Sequence, residues 1–268
     1  MIRKQALIGA RSLWVAMASI VSACGGAGTE YMGEHTPFAG CEHSPAAPPT
    51  TLGLASFYAK YLDGYGTPVV ASAAVSDQAL QIACRITGEV VSLRSDVRQA
   101  LAANHFRVAV LAPTEVTTDI PEYADIYTTN PAKDWDSMRG IGATHARPVC
   151  SCGEENLLCL AGDVFAGASI LIQMLAHGLR DLGIEEIDSQ FDGEIRSAYA
   201  AAMARDAWQG TSAADDVKSY WASGAEAWFG ANSRAPARGH AAVTAYDPAL
   251  AALQAAYLPA DDWRPGCY

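Results

Sequence analysis

Positive charge is scarce in this chain: 18 Lys and Arg stand against 29 Asp and Glu, a net charge of −11. An acidic surface repels polyanions, which argues against nucleic acid as a partner and against attachment to anionic lipid by charge. The early apolar run Leu13–Val21 falls short of the roughly 20 residues that a permanent spanning helix needs. No internal repeat recurs, which argues against a repeat array. No second Cys or His pair at ligand spacing follows Cys150, Cys152 and Cys159, so a cysteine zinc site lacks its other half. What is present is a globular composition, 50% hydrophobic and 18% charged, enough for a sizeable core.

The first 23 residues are a separate object. Arg3, Lys4 and Arg11 precede the apolar run, which ends in Val21-Ser-Ala-Cys24-Gly25. This resembles a bacterial lipoprotein signal, in which small residues precede a cysteine that becomes the lipidated first residue. An ordinary secretory signal cleaved nearby is the alternative, and both imply export to the cell envelope or beyond. Its removal takes away three basic residues and no acidic one, so the balance falls from −11 to −14. Membrane attachment would then come from acyl chains on Cys24, more than one being needed for a stable anchor. Residues 24–50, with Gly25-Gly-Ala-Gly28 and Ser44-Pro-Ala-Ala-Pro-Pro-Thr50, read as a flexible tether. Residues 51–268 are read as one folded domain.

Six cysteines remain after Cys24, and in an exported chain an even number points to disulfides. Spacing alone leaves the pairing open. Cys152 with Cys159 would close a short loop, and Cys41 with Cys267 would tie the ends.

Patterning predicts a helix over 51–66, a β-branched strand over 67–74, and helices over 76–88 and 95–104. The strand Phe106–Ala112 follows, then a loop-rich stretch to 148 and an extended segment over 149–160. Residues 164–183 carry Ile170, Leu171, Met174, Leu175, Leu179 and Leu182 at three- and four-residue steps. That predicts a helix with a broad buried face, capped by Ser169 and ended by Gly183. Three more helices are expected at about 189–209, 212–230 and 247–258. The fold class is α+β, with a small sheet in the N-terminal half and helices in the C-terminal half.

Gln173 and His177 lie one turn apart on the central helix. In a zinc hydrolase this frame reads H-E-x-x-H, two ligands with the catalytic glutamate after the first. Here it reads Gln173-Met174-Leu-Ala-His177. Several further stretches resemble a gluzincin-type family of secreted metallopeptidase-like proteins, distantly similar to the anthrax lethal factor catalytic domain. They are Tyr58-Ala-Lys-Tyr-Leu62, Pro68-Val-Val-Ala-Ser72, Ala109-Val-Leu-Ala112, Thr118-Asp-Ile-Pro-Glu122 and Arg139-Gly-Ile-Gly142. Glu154-Glu-Asn-Leu-Leu-Cys159, Ile170-Leu-Ile172, Tyr220–Phe229, Tyr246-Asp-Pro248 and Trp263-Arg264 continue the match over roughly 55–265. The resemblance implies a zincin-like metallopeptidase fold. It puts a zinc-binding glutamate at the position of Ser223 and a histidine at that of Gln173, leaves His177 as the one retained ligand, and replaces the general base with Met174. It also places Glu154, Glu155 and Asn156 on a strand bordering the substrate cleft, where an exposed edge pairs with an extended peptide; a strand edge held by cap contacts is the other reading.

An amide, a hydroxyl and one imidazole are a poor zinc set, and methionine accepts no proton from water. No cofactor is therefore expected, and the domain reads as a peptide- or protein-binding module. The alternative is an active zinc hydrolase with a relocated site around His177, drawing on Asp181, Glu226 or His240. A structural envelope lipoprotein is the third reading.

Overall fold

The computed structural model describes residues 39–268. The expected signal peptide at 1–23, the lipidation site Cys24 and the tether through residue 38 lie outside the described residues. Five strands form one sheet: β1 (Lys60–Gly64), β2 (Thr67–Ala71), β3 (Arg107–Leu111), β4 (Gly140–Ile141) and β5 (Val149–Gly153), in the order β1-β2-β3-β5-β4. The central strands β2, β3 and β5 run parallel, and β1 and β4 close the edges antiparallel. Side-chain alternation feeds both faces. Val108, Val110, Cys150 and Cys152 pack among the helices, while Ala109, Leu111 and Val149 face a smaller cluster around Tyr58, Ile120 and Tyr123.

The helices are α1 (Asp77–Val90), α2 (Ser95–Ala103), the single turn α3 (Glu154–Leu157), α4 (Ile170–Gly178), the short α5 (Glu185–Ile187), α6 (Phe191–Met203), α7 (Val217–Trp228), α8 (His240–Tyr246) and α9 (Pro248–Tyr257). Ser76 caps α1 by accepting the Ala79 N–H, as a Ser-Asp start predicts. The architecture is mixed α+β, with the sheet confined to residues 60–153. Among the described residues no helix is long and apolar enough to cross a membrane.

Several local expectations change. The helix expected over 51–66 does not form: residues 50–52 make a single 3-10 turn, and residues 60–66 are the β1 strand and its turn. Tyr65 and Gly66 adopt φ of 58° and 88°, the positive values that a tight hairpin turn uses, and pairing with β2 outweighs helix propensity. Residues 39–50 of the expected tether are attached to the domain: Cys41 is buried, and Ala46 exchanges two backbone hydrogen bonds with Tyr61. The disulfides are Cys41–Cys84 and Cys159–Cys267, in place of the pairs Cys152–Cys159 and Cys41–Cys267. Alternation explains the exchange, because Cys150 and Cys152 point into the helical core as buried free thiols. Gly183 does not stop the central helix, which continues through Leu179–Ile184 as a wider π-helical turn. The glycine serves close packing instead: a Cβ there would stand 2.9 Å from a methyl of Val97 in α2.

Candidate functional site

The first turn of α4 is positioned from a distance. Ser169 makes no side-chain cap bond. Asn156 does that work: its Oδ1 accepts the Ile170 N–H at 3.0 Å, and its Nδ2 donates to Ala168 O at 2.9 Å and to Asp163 at 2.8 Å. The Tyr268 hydroxyl donates to the Asn156 carbonyl at 2.9 Å. Asn156→Ala leaves the buried Ile170 N–H and Ala168 carbonyl without this partner, each costing about 1–3 kcal/mol. We expect a loss of at least about 2 kcal/mol in urea unfolding; an unchanged midpoint overturns the capping role.

Glu154, Glu155 and Asn156 therefore do not border a cleft on an exposed strand edge. They form α3 and are all buried. Glu154 accepts the Ser76 N–H. Glu155 is gripped by Arg139 through two hydrogen bonds, of 2.6 and 2.9 Å, while the same guanidinium donates to the carbonyls of Ala112 and Glu115. Burial works to raise the Glu155 carboxyl, and the Arg139 hydrogen bonds outweigh it, so Glu155 titrates below the usual range. Removing one partner of such a pair strands the other charge. Arg139→Ala is expected to destabilise the fold by about 3–5 kcal/mol; a loss below about 1 kcal/mol, the worth of an exposed pair, overturns this.

α4 and α7 pack together, with Trp221 Nε1 donating to Ala176 O at 2.9 Å. Across this contact Gln173 Nε2 donates to Ser223 Oγ at 3.2 Å, and Ser223 Oγ lies 2.8 Å from Ser212 Oγ. The two positions that the sequence placed together are adjacent. They line a cavity of about 330 Å³ walled by Phe165, Ile170 and Trp208. Met174 is buried in the core.

His177 does not line that cavity. It faces a separate recess of about 210 Å³ with Gly142, Thr144, Asp181 and Lys218. Gly142 admits the ring closely: a Cβ there would stand 2.8 Å from His177 Cβ. Burial pushes the imidazole pKa down, against the pull of the Asp181 charge.

Of the three relocated ligands proposed from sequence, only Asp181 shares the His177 recess. Asp181 is held by Arg180 at 2.7 Å and Lys218 at 2.6 Å. Glu226 is 2% exposed and lines the Gln173 cavity, not the His177 recess. His240 packs on Trp228, with ring centroids 5.7 Å apart. Trp228 lies ten residues along α7 from Lys218, about 15 Å at the helical rise. Among the described residues no three His, Cys, Asp or Glu side chains form a group able to hold a metal. The donors present do not fit zinc: an amide already bonded to a hydroxyl, a second hydroxyl, and an imidazole beside an ammonium.

No protein-family model matches the chain, and no curated protein matches it. Among solved structures, the Pro-Pro endopeptidase of Paenibacillus alvei superposes with a TM-score of 0.46 at 12% identity, over 70% of this chain and 96% of that one. This is a weak likeness in fold and says nothing of what this chain acts on.

Proposed function

We propose that this chain is an exported envelope lipoprotein whose zincin-like domain has given up metal and peptidase chemistry and acts as a binding module for a peptide or protein. The reading is supported most directly by the Gln173–Ser223–Ser212 hydrogen-bond chain, which joins neutral groups where the resemblance calls for a histidine and a glutamate. An open cavity beside them is what a binding module needs and a purely structural lipoprotein does not. Zinc analysis of protein purified without chelator tests the loss of metal: far less than one zinc per chain is expected, and about one zinc per chain overturns it.

Anchoring is tested separately. Wild-type protein partitions into detergent with acyl mass on Cys24, and Cys24→Ser moves it to the aqueous phase. A Cys24→Ser variant that stays in the detergent phase overturns the anchor.

A further inference from the structure

The Gln173 cavity contains a charge-bearing group that the loss of metal leaves without a task. Glu226, on the first α7 turn past Ser223, is 2% exposed and lines the cavity. Its Oε2 accepts one hydrogen bond, from Asn232 Nδ2 at 3.2 Å; among the described residues Oε1 has no hydrogen-bond partner, and the nearest cation, Arg234, acts on the carboxyl from beyond ion-pair distance, a weaker pull than the burial that opposes it. Desolvation is the main cause that pushes its pKa up to about 8, so the carboxyl facing this cavity is mostly protonated at neutral pH. A buried carboxyl turned to open space is well used only when a guest brings the opposite charge or a strong hydrogen bond.

We propose that this cavity binds a primary ammonium carried on a small apolar body, with Glu226 as its counter-charge. An ammonium has three N–H donors in a compact head. Glu226 takes one of them, and the hydroxyls of Ser212 and Ser223 line the same cavity as acceptors for the others. Trp208 and Phe165 cover the apolar body, where an aromatic face also favours a cation. A volume of about 330 Å³ sits at the small end of the range for ligand sites, which suits a single amino-terminal residue or one amine-bearing side chain. Arg234 also lines the cavity, exposed and donating to Ala166 O; its charge is felt at Glu226 and disfavours a guest with more than one positive charge.

The proposal rests on the reading of the domain as a metal-free binding module, so zinc is measured on the same sample. Calorimetric titration of the purified full-length chain near neutral pH compares phenethylamine with phenethyl alcohol, its neutral counterpart. Phenethylamine is expected to bind at least about tenfold more tightly. Glu226→Gln, which keeps the side chain's size and the Asn232 contact, is expected to abolish that preference without lowering the unfolding temperature. Equal affinities, a preference that survives Glu226→Gln, or no saturable binding of the amine overturns the proposal. About one zinc per chain overturns the metal-free reading instead, whatever the amine does.

Discussion

Gln173→His, Met174→Glu and Ser223→Glu introduced together are expected to give a chain that binds about one zinc, where the wild type binds far less. The packing of α4 on α7 is the reason. Gln173 and Ser223 already approach to 3.2 Å, and zinc ligands on facing helices meet one ion at about 2.0–2.2 Å each. His177 follows one turn along α4 but faces its own recess, so its ring must turn toward Gln173 to supply the third donor; burial lowers its pKa and favours the neutral imidazole that zinc needs. Lys218, held at Asp181 beside that ring, opposes a dication and weakens the site. Without metal, the glutamate introduced in place of Ser223 adds a second carboxyl to the cavity that holds Glu226, so the metal-free variant is expected to be less stable than the wild type. Zinc at a hundredfold excess over its Kd would then return about 2.7 kcal/mol. The checks are zinc content and the shift of the unfolding midpoint with added zinc. A triple variant that folds yet takes up no metal shows that the two helices do not present these positions to one point.

Features written in short stretches were legible. The Ser76-Asp77 start set α1, and the short apolar run Phe106–Ala112, closed by Pro113, set the best strand. Residues 51–66 mislead because Tyr58, Leu62 and Tyr65 fit a helical spacing, and only the pairing of Lys60–Gly64 with β2 decides against it. The contact between Gln173 and Ser223 was expected. The division of the site into two spaces was not, because whether neighbouring turns of α4 open onto one cavity or two depends on how α7 and the 142–144 loop lie across it. Nor does any local rule signal a cap supplied by Asn156, which lies 14 residues before the N–H it accepts. The surroundings of Glu226 are hidden for the same reason: its neighbour Asn232 is brought to it by the turn after α7, and no periodicity in the helix records that turn.

Glu226→Gln is expected to stabilise the protein at alkaline pH and to do little in acid. The wild-type carboxyl has its pKa pushed from 4.5 up to about 8, chiefly by burial. Between those values the folded chain holds a proton that the unfolded chain has released, so wild-type stability falls as pH rises through this window. At about 1.36 kcal/mol per unit, the full penalty above pH 8 is roughly 5 kcal/mol. Glutamine does not ionise, so the variant escapes it; below pH 4.5 both side chains are neutral and the two proteins converge. Glu89, pushed up to about 7 by burial and by Asp261, gives a smaller decline in the same direction. That decline persists in the variant and serves as an internal reference. Urea unfolding of both proteins at about pH 5 and about pH 9, either side of the window, measures the difference. Parallel pH profiles would mean that the Glu226 carboxyl is solvated in the folded state, and the counter-charge assigned to it would lose its basis. The same experiment with a bound ammonium adds a second sign. The guest restores charge balance to the ionised carboxyl, so its stabilising effect on the wild type grows between about pH 5 and pH 8 while that on the variant stays flat.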